Sequence, residues 1–190
     1  MPEASPRVLP VQAEVVPLGR VNQVACAVAA AHIKALLGLS SQVVQAAPEP
    51  DFAYLPVRGQ HDAAALMDYL AKRRPSGVIR VGVTEADLCL PVFTFVFGEA
   101  RLGGGVAVAS LHRLWEGRYG RSAPRSLAYR RLAKVVCHET GHALGLEHCQ
   151  ELGCLMRFAG GLTTLDRLKM WFCPACAGEL SARRAEPFSV

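Results

Sequence analysis

No stretch of the chain is apolar for long enough to cross a bilayer. The longest such run, Val24 to Ile33, is ten residues and already contains His32, where roughly 20 are needed. The N-terminal residues Met1-Pro2-Glu3-Ala4-Ser5-Pro6-Arg7 lack the apolar segment of an export signal. Internal repeats and low-complexity tracts are missing too. Charged residues make up 19% against 51% hydrophobic, which excludes a disordered chain. The glycine cluster Gly103-Gly104-Gly105 precedes a strand-like segment and does not open a helix, so it reads as a tight turn and not as a phosphate-cradling loop. The chain is expected to be soluble, cytoplasmic and monomeric, with no membrane partner. Its 190 residues suit one domain, or one domain with a small metal-held appendage.

Seven cysteines are an odd number, and no exported context supports a disulfide framework. Cys26, Cys89 and Cys137 lie inside apolar segments and read as small buried hydrophobes. A formal charge of +5 admits a polyanion partner. The basic residues are scattered, however, as Lys72-Arg73-Arg74, Arg118 to Arg131 and Arg183-Arg184. They read as solvated faces, and no nucleic-acid partner is expected.

Residues 1–10, with three prolines, form a loose leader. A strand over 11–16 precedes a helix from Gln23 to Leu37, capped by Asn22 and stopped by Gly38. A second strand is expected over Gln42–Ala46, and a helix from His61 or Asp62 to Lys72. Gly77–Val83, Val92–Phe97 and Val106–Ser110 supply further strands. This alternation predicts an α/β N-terminal half. Leu111 to Arg125 is polar, basic and breaker-containing, and is expected to loop over the surface as a cover for the cleft. A long helix then runs from about Ser126 to Leu144, and a last one from about Thr163 to Phe172. Division falls at Gly145, giving a catalytic subdomain over 11–145 and a C-terminal subdomain over 146–190.

The informative stretch straddles that boundary. On a helix, His138 and His142 stand one turn apart and project from the same face. Two imidazoles so placed suit a zinc ion, with Glu139 beside them to reach a zinc-bound water. Gly145 permits a sharp turn that returns His148 as third ligand. Three neutral nitrogens leave a fourth position open, which is the layout of a catalytic zinc with Glu139 as general base.

His138-Glu139-x-x-His142-x-x-Gly145-x-x-His148 resembles the metzincin zinc-peptidase signature. Cys149, Cys154-x-Met156 and Cys173-x-x-Cys176 resemble one branch of it, the archaemetzincins. Arg58-Gly59-Gln60, Thr84 to Leu88, Phe95 to Ala100 and Ser110-x-x-Arg113-Leu114 are similar to that branch as well. The resemblance implies an α+β metzincin-like fold: a mixed, mostly parallel twisted sheet with one antiparallel edge strand, packed on a long active-site helix. It also implies a Met-turn that sets Met156 beneath the zinc. The Phe93–Phe97 run reads either as the edge strand to which a peptide or protein substrate adds or, equally, as a plain core strand.

Four residues separate Cys149 from Cys154, and two separate Cys173 from Cys176. Four thiolates at these spacings fit a closed structural zinc, the second Zn2+ of the chain. The reading is a zinc-dependent peptidase. Its alternatives are a non-catalytic zinc- and peptide-binding protein on the same scaffold and, less favoured, a nucleic-acid-binding zinc protein. Against the last, Leu155 to Phe172 is apolar and offers no basic recognition helix.

Overall fold

The computed structural model describes residues 12–117 and 121–185. The leader at 1–10, Val11 and Arg118 of the basic run lie outside the described residues. Strand β1 (Gln12–Pro17) leads to Asn22, whose Oδ1 accepts from the Val24 amide at 2.9 Å and starts α1 (Gln23–His32). A π turn, Ile33–Leu37, carries the helix to Gly38 at φ 66°. Strand β2 (Ser40–Val43) starts earlier than expected, because its parallel ladder with β1 begins at Gln12↔Ser40. It is a solvent-facing edge strand and carries little apolar signal.

Next come β3 (Tyr54–Leu55), β4 (Gln60–Asp62) and α2 (Ala63–Ala71), the helix capped by Asp62 through the Ala64 amide at 2.9 Å. Strands β5 (Val78–Thr84), β6 (Leu88–Leu90), β7 (Phe93–Val96), β8 (Gly98–Ala100) and β9 (Val106–Ser110) follow. Five of the nine form one sheet in the order β2-β1-β5-β9-β8, parallel except for β8. Helices α1 and α3 (Arg125–Leu144) cover one face and α2 the other. Both faces are therefore dry, and β5 and β9 are nearly apolar throughout, as a doubly covered sheet requires. Among the described residues no helix is long and apolar enough to cross a membrane.

The antiparallel edge corrects one expectation. The run Phe93–Phe97 does not join the main sheet; β7 is the edge of a second sheet, ordered β3-β4-β6-β7. The edge of the main sheet is β8, one step further on. Gly98 sets the division, because a Cβ there would lie 2.8 Å from both the Val108 carbonyl oxygen and Val135 Cγ1. Only a glycine lets the chain press this closely onto β9 and α3.

A second correction concerns the C-terminal part. The helix expected over Thr163–Phe172 is the shorter α4 (Leu162–Arg167). Beyond it the chain bends repeatedly and is neither helix nor strand, with the Lys169 amide on Gly153 O at 3.0 Å and the Leu155 amide on Trp171 O at 2.9 Å. A further helix, α5 (Pro174–Ala185), was not expected. Its sequence signal is Pro174, pre-set for the first helical position. Leu146, Leu155, Met156, Leu165 and Leu180 all enter the core beneath α1 and α3.

The triple glycine makes its tight turn, and the turn caps α3. The Gly103 amide donates to His142 O at 2.9 Å and the Gly105 amide to Ala143 O at 3.1 Å. Gly105 sits at φ 67°, with Arg74 as close as 3.0 Å to the Cβ position. Gly105→Ala is therefore expected to cost about 1–2 kcal/mol. Denaturant unfolding of the metal-loaded chain reads this; an unchanged midpoint would contradict the capping role.

Candidate functional site

The last two turns of α3 form the floor of the site. The helix ends in a six-residue C-capping motif around Gly145, at φ 105°. The Gly145 amide reaches His142 O at 2.8 Å and the Leu146 amide reaches Gly141 O at 3.0 Å. The reversal brings His148 back over the helix. Its ring centroid lies 4.6 Å from that of His142 and 5.3 Å from that of His138. Ligand nitrogens of all three histidines lie within 4.8 Å of one another.

Hydrogen bonding fixes the tautomers of two of them. His138 Nδ1 lies 2.7 Å from Leu155 O, and His142 Nδ1 lies 2.6 Å from Leu146 O. A carbonyl only accepts, so both Nδ1 atoms carry the proton and both Nε2 atoms are bare. These bare atoms stand 3.0 Å apart. Burial, then the neighbouring imidazoles, pushes the His138 pKa down to about 3, and burial lowers those of His142 and His148. A proton is therefore a poor occupant between these nitrogens, whereas a zinc ion, which takes neutral imidazole, fits.

Glu139 is 8% exposed. Burial first, and the charge of Glu99 second, hold its carboxyl well above the ordinary range. A cation at the histidines would supply the missing counter-charge. Gly98, read from the sequence as the end of the Val92–Phe97 strand, also fixes this side chain: a Cβ there would lie 2.7 Å from Glu139 Cγ. Glu99 itself pairs in register with Val108, which belongs to the α2-side core, so strand alternation turns its side chain away from α3.

A cleft of about 490 Å³ opens over these groups. One wall is the chain from Phe93 to Glu99; the other is formed by Phe158, Ala159, Gly160, Leu165 and Leu168. Two side chains of α3 pin that second wall. Arg131 grips Asp166 through two bonds of 2.7 Å, and Lys134 donates to Leu165 O at 2.9 Å and Asp166 O at 3.0 Å. The expected cover, Leu111–Arg125, does not line the cleft in its described residues. Leu111 and Leu114 are buried in the core instead, and the carbonyls of Leu114 and Glu116 bind Arg131.

The four cysteines converge as a second group, their sulfurs within 4.8 Å of one another and buried except at Cys149. Cys149 and Cys173 sulfurs are 3.7 Å apart, far outside the disulfide bond length of about 2.05 Å. Amides serve them: that of Glu151 reaches Cys149 Sγ at 3.3 Å, and that of Cys173 reaches Cys154 Sγ at 3.4 Å. Cys173 precedes α5, and its sulfur takes the Cys176 amide, the contact that most lowers its pKa. Burial raises the thiol pKa values of Cys154 and Cys176. Low and high thiol pKa values in one tetrad suit a cation that holds all four as thiolates.

One short segment joins the two groups. Cys154 belongs to the cysteines, Leu155 O orients His138, and Met156 O accepts the Cys149 amide at 2.9 Å. The Met156 side chain is buried against α3, where a Cβ at Gly141 would lie 2.6 Å from its sulfur.

The profile of Peptidase family M54 matches residues 49–182. The archaemetzincin of Methanopyrus kandleri is 37% identical over 145 residues, spanning 76% of this chain and 79% of its own. That of Pyrococcus furiosus is 34% identical over 177 residues, 89% of this chain and 92% of its own. The crystal structure of the Methanopyrus kandleri archaemetzincin superposes with a TM-score of 0.82 at 32% identity, covering 96% of this chain and all of that one (100%). A zinc-dependent peptidase from Methanocorpusculum labreanum gives 0.81 at 30% identity, covering 88% and 99%.

Glycine inside a helix costs about 1 kcal/mol relative to alanine, so Gly141 has to be explained by its contact with Met156. Gly141→Ala is expected to destabilise despite its better propensity, by about 1–3 kcal/mol from overpacking. In the Met156→Ala background the same change should be neutral or stabilising. Unfolding of the four proteins of this cycle measures the coupling; additive effects would remove Met156 as the reason for Gly141.

Proposed function

The chain belongs to peptidase family M54, and from that premise we propose that it cleaves peptide bonds with Glu139 as general base beside a zinc held by His138, His142 and His148. As a member it is a zinc metallopeptidase acting on peptide or protein substrates. The observation that carries the residue assignment is the pair of bare Nε2 atoms 3.0 Å apart at the floor of a cleft, with Glu139 next to them.

Bound by the three imidazoles, zinc would supply a Lewis acid that polarises the scissile carbonyl and brings the attacking water to a pKa of about 7. Glu139 takes the proton of that water and delivers it to the departing amine nitrogen. Its place beside His138 on the lining of the cleft suits both halves of this task. The Nδ1 bonds to Leu155 O and Leu146 O keep His138 and His142 in the ligating tautomer throughout. A peptide lying along β7, between the aromatic wall and Phe158, is shielded from bulk water.

Cys149, Cys154, Cys173 and Cys176 hold a second, structural zinc in this reading. Residues 11–145 then contribute the helix-borne groups, and 146–190 contribute His148, the Met-turn residue Met156 and the cysteine site. Thiolates that bind metal call for a reducing compartment, the cytoplasm. The proposal of two zincs is supported by two separate ligand clusters of the right donor type.

Glu139→Gln should lower kcat about 10²–10⁴-fold, the usual weight of a positioned base, with zinc content unchanged. Unchanged hydrolysis would sink the assignment. Metal analysis gives a further outcome: two zinc ions in the parent chain, one in His142→Ala, and none in Cys173→Ser, because the cysteine loop carries Leu155 and His148. A Cys173→Ser protein that retains a zinc at the histidines would refute that dependence.

A further inference from the structure

Four side chains that the metal sites do not use meet behind β7. Asp87 is their centre, its side chain 12% exposed. Arg113 grips it through Nε to Oδ1 at 2.7 Å and Nη2 to Oδ2 at 2.8 Å. Gln60 Nε2 donates to Asp87 Oδ2 and to the Thr94 carbonyl, both at 2.9 Å. Carboxylate and carbonyl only accept, so the Gln60 amide has one permitted orientation. Its Oε1 then accepts from Arg58 Nε at 3.1 Å, and Arg58 continues to Leu90 O at 2.9 Å and Phe93 O at 2.6 Å. Arg113 also lies over the Phe95 ring, 4.2 Å from its centroid.

The strand these groups hold is irregular. Leu88 pairs with Val96 and Leu90 with Phe93, so three steps along β7 oppose two along β6. Such a bulge takes backbone groups off the ladder and adds local twist. Here the Phe93 carbonyl receives Arg58, and the Thr94 carbonyl receives both Arg58 and Gln60. On its other side β7 has no strand among the described residues, and its residues line the cleft with His138 and Glu139. An unsupported bulge at that place would leave the free edge without a defined register.

We propose that Asp87, Arg113, Gln60 and Arg58 are positioning residues that lock bulged β7 in the register at which an extended peptide adds to its free edge. The proposal rests on the peptidase reading. A substrate bound by strand addition is recognised through main-chain hydrogen bonds, and the edge that receives it must be ordered beforehand or the ordering cost appears in its affinity. None of the hydrogen bonds of the four side chains goes to α3 or to a metal-site residue. Their loss should weaken peptide binding and leave the chemical step intact.

The test uses the zinc-loaded chain with Arg58→Ala, a change at an exposed residue, and Asp87→Asn, which keeps the side-chain shape. Hydrogen exchange of the Phe93–Val96 amides is expected to quicken about tenfold or more, with exchange in α3 unchanged. KM for extended peptides should rise about tenfold with kcat within about twofold, as loss of binding common to ground and transition states requires. Arg58→Lys should restore part of this. The affinity of the same peptide for the Glu139→Gln chain, with and without Arg58→Ala, reads binding without turnover. Exchange that quickens across the whole chain, kcat falling at constant KM, or unchanged peptide affinity would each overturn the proposal. A parent chain that binds peptides and cleaves none would overturn the peptidase reading alone; one that binds none would overturn both.

Discussion

Two bare imidazole nitrogens held 3.0 Å apart are the constraint on which this site depends. Lone pairs at that distance repel, and burial disfavours the proton that would relieve them. The arrangement persists because each ring is tied at its far nitrogen to a carbonyl outside the helical ladder, Leu155 O for His138 and Leu146 O for His142. Leu146 is placed by the glycine turn that ends α3, Leu155 by the cysteine loop. The histidine and cysteine groups are therefore one mechanical unit, in which the loop through Cys154, Leu155 and Met156 touches both.

The walls of the cleft follow the same logic of polar pinning. Arg131 is almost fully buried, with its side chain 5% exposed, and Asp166 is 37% exposed. Removing Asp166 leaves the buried Arg131 charge without its carboxylate, at a cost of about 3–5 kcal/mol, although an apolar replacement of both can be neutral. Its use is thus geometric: with Lys134 it fastens α4 to α3 one turn before His138. On the opposite wall the Asp87 cluster holds a bulged strand. A cleft between an edge strand and a short helix needs both ties, because neither element is long enough to fix itself.

Much of the site was legible in the sequence, for a physical reason. The spacing of His138, Glu139, His142, Gly145 and His148 reflects one helix and one turn, both local objects whose geometry is set within a dozen residues. Each cysteine pair, Cys149 with Cys154 and Cys173 with Cys176, was legible for the same reason, while the helix that begins at Pro174 was hidden behind them. Phe93 to Phe97 reads as one strand because its β propensity is continuous. The division into β7 and β8 comes from Gly98 pressing on Val135 and Glu139, residues far along the chain. Strands β3, β4 and β6 are two or three residues long and owe their place to side chains such as Arg58 and Gln60, which no periodicity announces.

The dependence of the histidine site on the cysteine loop is the claim most exposed to test. Cobalt(II) titration of the metal-free chain separates the two sites optically, since thiolate ligation gives intense charge-transfer bands and imidazole ligation does not. The account predicts that the thiolate bands saturate first and that the weaker histidine-site absorption grows only afterwards. Histidine-site absorption that develops fully while the thiolate bands are still absent would contradict it.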